Sequence, residues 1–144
     1  MVGRLVLVLG DQLTETLSAL AQADKGRDTV VMAEVADEAA YVRHHPKKIA
    51  LIFAAMRKFA QALEQDGWTV AYTQLDDTEN AGSIVGELLR RAAQTGASEV
   101  LATEPGEWRL IDKLKDAPLK VQILPDDRFL ASHAEFEAWA EGRK

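Results

Sequence analysis

Three short stretches of this chain carry almost no polar side chain: Leu5–Leu9 (LVLVL), Thr29–Ala33 (TVVMA), and Val100-Leu101-Ala102 inside Glu99–Thr103. A strand with one wet face alternates apolar and polar residues. A continuous apolar run belongs to a strand covered on both faces, as in a parallel sheet flanked by helices. Two further segments do alternate. Trp68, Val70 and Tyr72 oppose Thr69, Ala71 and Thr73 within Trp68–Gln74, and Val121 and Ile123 share one face of Leu119–Leu124. One drier and one wetter face suits the two edges of a sheet. With the first strand read as Arg4–Leu9, the chain predicts an α/β domain: an open parallel five-stranded sheet, order 3-2-1-4-5, with right-handed crossovers and helices on both faces. Strand polarity alone leaves other orders open.

The segments between the strands carry the helical period that this architecture needs. Ile49, Ile52, Phe53, Met56, Phe59, Ala60 and Leu63 form one apolar face. Ile84, Val85, Leu88, Leu89, Ala92 and Ala93 mark the next helix, with Ser83 as its N-cap and Gly96 past its end. Leu13, Leu17 and Leu20 suggest a shorter helix after the first strand. Ser132-His133-Ala134-Glu135 has the spacing of a capping box, opening a last helix toward Arg143-Lys144 that Gly142 breaks. No repeat, low-complexity stretch or linker interrupts the chain, so its 144 residues read as one domain with its own core.

Composition removes several function classes. The chain has no cysteine, which excludes disulfides, thiolate zinc sites and iron–sulfur ligation by these residues. The apolar run Leu5–Leu9 is too short for a signal-peptide core and is followed at once by Gly10-Asp11-Gln12, and no segment reaches the length of a membrane span; the reading is a cytoplasmic protein. The formal net charge is −6. Basic residues are scattered apart from Arg43-His44-His45-Pro46-Lys47-Lys48, so a DNA-gripping basic face is not expected of this domain alone.

In an open α/β sheet, ligands bind beyond the carboxyl ends of the strands at the topological switch point, here between strands 1 and 4. Gly10-Asp11-Gln12 leave one strand and Glu104-Pro105-Gly106-Glu107 the other, while Glu34, Asp37, Glu38 and Tyr41 follow strand 2. The expected cleft is rich in carboxylates. It has neither GxGxxG nor a Walker lysine loop, so a pyrophosphate would meet negative charge without a glycine cradle. An uncharged ligand with many hydroxyls fits better: carboxylates and the Gln12 amide offer hydrogen bonds and Tyr41 an aromatic face. Asp11 as a helix cap and Glu34 and Glu38 as solvated loop charges are the plainer alternatives. Pro46 at the first helical position puts Lys47 and Lys48 where cations oppose the helix dipole. Lys48 is read as pairing with Glu34 or Glu38, and Lys47 as facing solvent. His44 and His45 lack an obvious third ligand, so no metal is assigned; His133 reads as structural; no nucleophile–base constellation marks a catalytic residue.

The segments LVLVLGDQL, EVADEAAYVRHHPKKIALIFAAMRKFAQAL, LDDTENAGS, TEPGEWR and DDRFLASHAEFEAWAEGRK together make the chain resemble the deoxyribodipyrimidine photolyase-related proteins, which include iron–sulfur bacterial cryptochromes and prokaryotic (6-4) photolyases. The resemblance implies a Rossmann-like (flavodoxin-like) N-terminal domain holding an antenna chromophore, dimethyl-ribityl-lumazine. It also implies a separate helical C-terminal domain with FAD and a [4Fe-4S] cluster. Light absorbed by the antenna passes to the flavin, which repairs a DNA photoproduct or signals. By position in the motifs, chromophore contacts fall on Gly10, Asp11, Glu34, Glu38, Tyr41 and Ile52, with Gln12, His44 and Lys48 nearby. Ile52 at helical spacing is also a core candidate. Pro46 stands where relatives often carry lysine, so the local helix start differs.

The family's FAD, cluster and lesion-binding residues lie beyond Lys144. The chain is therefore expected to be a fragment of a longer protein, partnered by its own FAD-binding domain and meeting DNA only through it. Two other functions stay open. One is a pigment-free docking module of the same architecture. The other, motivated by Asp11, is a small Mg-dependent carboxylate enzyme; it is weakened by Leu13, which stands where a second acid would be needed.

Overall fold

The computed structural model describes residues 2–143. Five parallel strands form one sheet: β1 (Leu5–Leu7), β2 (Thr29–Ala33), β3 (Thr69–Thr73), β4 (Glu99–Thr103) and β5 (Lys120–Leu124), in the order β3-β2-β1-β4-β5. The helices are α1 (Ser18–Gln22), α2 (Ala36–Ala40), α3 (Pro46–Gln65), α4 (Ile84–Thr95), α5 (Trp108–Lys115) and α6 (His133–Ala140). This is the α/β, Rossmann-like arrangement and strand order expected from the polarity pattern.

The pleat sends alternate residues of each strand into two cores. Leu5, Leu7, Val31, Val100 and Ala102 pack with Ile84, Leu88, Leu110 and Leu114 of α4 and α5. Val6, Val8, Val30, Met32 and Leu101 pack with Leu17, Leu20, Met56, Ala60 and Leu63 on the α1 and α3 side. In the middle of the sheet Val6 sits opposite both Val30 and Leu101. Each fully buried aliphatic side chain contributes roughly 1.5–3 kcal/mol, against about 0–1 kcal/mol for an exposed ion pair. The apolar runs therefore dominate the stability of the sheet.

Local chemistry trims several expected boundaries. The ladder of β1 stops at Leu7, although Val8 and Leu9 remain buried. The Leu9 amide donates to Gln12 Oε1 at 3.3 Å instead of to a neighbouring strand. Leu13 precedes α1 rather than opening it: residues 12–17 are held in turns by the Thr14 N to Gln12 O and Leu17 N to Thr14 O bonds. The orphan amide of Ala19 at the start of α1 is satisfied from β4, by Thr103 Oγ1 at 3.1 Å. Strands β3 and β5 start one residue later than read, at Thr69 and Lys120.

Helix ends follow the sequence signals closely. Ser83 Oγ accepts from Gly86 N, and Gly96 closes α4 with φ +75°, a conformation that favours glycine. Ser132 and Glu135 make both bonds of the capping box. Helix α6 ends at Ala140, before Gly142, and Lys144 lies outside the described residues. Pro46 opens α3, where His45 Nδ1 accepts from Lys47 N. Two helices were not foreseen: α2, which buries no residue, and α5, whose buried Leu110 and Leu114 carry the only clear period.

Candidate functional site

At the carboxyl ends of the central strands lies a cavity of about 480 Å³. Its floor is Val8, Leu9 and Gly10 as β1 gives way to its loop, with Ala33 and Val35 from the end of β2. Helix α3 supplies a wall of Ile49, Ile52, Phe53 and Met56. Pro105, Gly106 and Leu110 close the side toward α5. Polar groups enter from Asp11, Glu38, His44, Lys48 and Glu107. Gly10 is needed here for space: a Cβ on it would lie 3.0 Å from Ile52 Cγ2 and 3.1 Å from Met56 Sδ. Its lack of a side chain lets α3 approach the strand end and sets the cavity's depth.

Of the residues predicted for the site, the cavity brings together Gly10, Asp11, Glu38, His44, Lys48 and Ile52. Gln12, Glu34 and Tyr41 are not in its lining, and their polar or aromatic groups have other partners. Gln12 is buried and bonds Leu9 N, Thr103 O and Glu104 O, tying the β1 and β4 loops together. The Glu34 carboxylate is fully enclosed, with Arg57 Nε at 2.6 Å, Arg57 Nη2 at 2.8 Å, Tyr72 Oη at 2.6 Å and Leu75 N at 2.9 Å. Burial alone would raise its pKa, but the bonds from Arg57, Tyr72 and Leu75 outweigh burial and hold the carboxyl below its ordinary value. Burial and the bond to Glu34 push the Tyr72 hydroxyl upward. The Tyr41 ring lies outside the cavity with the Arg109 guanidinium carbon 4.0 Å from its centroid.

The expected pairing of Lys48 with Glu34 or Glu38 is not formed. Lys48 Nζ lies 3.4 Å from His44 Nδ1, while Arg57 takes Glu34 and Arg109 takes Glu38. The planar fork of arginine matches a carboxylate better than an ammonium does. The cavity is accordingly less acidic than the sequence suggested. Glu34 faces away from it, Glu104 bonds His133 Nε2 at 2.7 Å, and both Glu38 and Glu107 share the cation of Arg109. What remains is an apolar slot with a polar rim.

Arg57, Arg109 and Arg128 were missed as contributors. Arg128 Nη1 donates to Asp11 O at 2.8 Å, so the segment before α6 is fastened to the β1 loop, as His133 fastens α6 to the β4 loop. The Leu110–Leu114 spacing was the available signal for α5, and it would have put Arg109 on a helix beside the switch point. Nothing local marks Arg57 or Arg128.

Among the described residues no three or more histidine, aspartate or glutamate side chains cluster to hold a metal ion, and no helix is long and apolar enough to cross a membrane. The volume falls within the roughly 300–1,000 Å³ of small-molecule sites, which are also mostly apolar with a few placed polar groups.

A solved structure from the universal stress protein family of Burkholderia pseudomallei overlaps the chain with a TM-score of 0.44 at 18% identity, covering 84% of this chain and 95% of that one, a similarity that carries no functional information. The (6-4) photolyase of Agrobacterium fabrum (strain C58 / ATCC 33970) is 49% identical over 145 residues, which cover 98% of this chain and 29% of that protein. Residues 6–144 match the family described as deoxyribodipyrimidine photo-lyase-related protein. A family match over residues 6–144 and 49% identity across 98% of the chain settle the assignment: the chain belongs to the deoxyribodipyrimidine photo-lyase-related protein family.

Proposed function

We propose that this domain binds an antenna chromophore, dimethyl-ribityl-lumazine, in the cavity at the ends of β1, β2 and β4. The observation that carries the reading is the cavity itself: about 480 Å³, mostly apolar, with no glycine-rich phosphate loop and with donors and acceptors confined to its rim. Lumazine is a flat heteroaromatic ring with a ribityl chain and no phosphate. When bound it would supply light absorption and pass the excitation to a flavin. Ile49, Ile52, Phe53 and Met56 would flank the ring and exclude water; Asp11, Glu38, His44, Lys48 and Glu107 would meet ring amides and hydroxyls. Glu34 and Gln12 support the walls from behind rather than touching a ligand.

The same reading makes the chain one domain of a longer cytoplasmic protein, since it spans 29% of its curated relative. Its partner is then its own FAD-binding domain, which would also hold the [4Fe-4S] cluster and contact DNA for light-driven repair or photosensing. A second reading, a pigment-free packing module, is favoured by the exposed Phe129, Leu130, Phe136 and Trp139 in and before α6, a face that suits contact with that domain.

One experiment separates the two. The parent protein is expressed with lumazine available, and its lumazine-to-FAD ratio is read from absorption and fluorescence. The antenna reading expects bound lumazine and its loss in Ile52→Trp, whose indole fills the slot. A protein that keeps FAD but carries no lumazine sinks the antenna and leaves the packing module. Unchanged lumazine in Ile52→Trp overturns the placement in this cavity.

A further inference from the structure

Helix α2 forms one side of the cavity, yet none of its residues is buried. Glu38 lines the cavity on one side and a second depression of about 360 Å³ on the other, so little packing stands behind it. A five-residue helix has no stability of its own. Its side-chain ties all run to α5: Asp37 to Lys113 at 3.2 Å, and Glu38 to Arg109. The second tie is the more elaborate. Arg109 Nη1 and Nη2 lie 3.2–3.3 Å from the two Glu38 oxygens, 71 residues away in the chain, and Nη2 also reaches Glu107 Oε2 at 2.9 Å. The guanidinium covers the Tyr41 ring, and its Nε is buried without a partner. One cation thus holds two carboxylates that line the cavity, from elements on either side of its mouth.

We infer that Arg109 is the positioning residue of this site: it fixes Glu38 and Glu107 as acceptors at the cavity rim and so selects a ligand that presents N–H or O–H donors. An ionised carboxylate only accepts hydrogen bonds. The two carboxylates and one guanidinium leave one negative charge, which disfavours a phosphorylated or carboxylated ligand. Arg109 does not line the cavity and acts through its partners. This inference rests on the antenna reading and extends it from the shape of the slot to the orientation of its polar rim.

The test uses dimethyl-ribityl-lumazine titrated into this protein and into Arg109→Gln, Arg109→Lys, Lys113→Gln, Glu38→Gln and the Glu38→Gln/Arg109→Gln pair. Arg109→Gln is expected to bind roughly tenfold more weakly, the scale of one charge-assisted hydrogen bond, and to shift the absorption maximum of the bound ring as the Glu38 charge moves. Arg109→Lys restores part of both. Lys113→Gln, which removes the other tie of α2, leaves the spectrum unchanged. The double variant binds no more weakly than Glu38→Gln and Arg109→Gln multiplied together, and closer to the weaker single, because the two residues act in series. Wild-type affinity and spectrum in Arg109→Gln, or a Lys113→Gln variant that behaves like it, overturn the inference.

If the unmodified protein binds no lumazine, the antenna reading fails separately, and ligand-free amide exchange decides the role of Arg109. The Ala39 amide, bonded to Val35 O, should then exchange faster in Arg109→Gln than in Lys113→Gln. Equal rates overturn the inference.

Discussion

Glu34 shows what single residues do in this domain. Its side chain is fully enclosed while that of Arg57 is 46% exposed, so the pair is buried at one end only. Removing Arg57 leaves a buried carboxylate without its cation, which destabilises the fold through the unpaired charge on Glu34, less so than in a fully buried pair because solvent already reaches the guanidinium. Tyr72 and Leu75 still bond Glu34, so Arg57→Ala is expected to lower the denaturant midpoint without unfolding the domain, and an unchanged midpoint would show that the ion pair contributes nothing. Arg57→Lys should recover only part, because an ammonium cannot donate from two nitrogens at once. The sequence placed Glu34 correctly at the carboxyl end of its strand but could not show which way it points. Its partners lie 23, 38 and 41 residues further on, and no spacing rule links them. Ile52 and Gly10 were legible, since one lies on an apolar helical face and the other follows a buried strand. Arg109 was not, because α5 went unread.

Helices were legible where their ends carry chemistry, while α2 and α5, which have no side-chain cap, went unread. Ser83, Gly96 and the Ser132–Glu135 box announce α4 and α6. Helix α2 has no cap hydrogen bond from a side chain and no apolar stripe, and its place is set by α5. The start of α1 is held from outside as well, by a threonine hydroxyl on β4. Helix α6 is the reverse case, with a complete cap and no buried residue. Its stability therefore rests on local terms and on the bond between His133 and Glu104. Ser132→Ala removes both bonds to the hydroxyl and should weaken α6 by about 0.5–2 kcal/mol. The effect should be local: faster exchange of the Phe136 amide, which bonds Ser132 O, with an unmoved melting temperature. A lowered melting temperature would mean that α6 is coupled to the sheet more tightly than its exposure indicates.

For the whole molecule, the polarity pattern carried the architecture, since strands buried on both faces and strands buried on one sort themselves into centre and edge. The same burial also collects carboxylates. The side chains of Asp28, Glu34 and Glu87 are at most 1% exposed, each bonded to an arginine. In all three, burial acts to raise the pKa and the bonds from Arg4, Arg57 and Arg90 with neighbouring donors outweigh it, so each is held below its ordinary value. A carboxyl with a depressed folded pKa stabilises fully above its unfolded value, 3.8 or 4.5, and that contribution is lost as pH falls through the folded value. The domain should therefore keep its stability down to about pH 5 and lose it progressively below. Melting temperatures across that range check this, and Glu34→Gln should flatten the slope; a wild-type profile that stays level far below pH 4 would contradict it. The position of β1 has a separate consequence during synthesis. It is the first strand made, yet it lies at the centre, paired with β2 on one side and β4 on the other. A nascent chain can zip one border of this strand once β2 has emerged. The other border waits for β4, Glu99–Thr103, so an apolar edge stays open to wrong neighbours until most of the domain has left the ribosome.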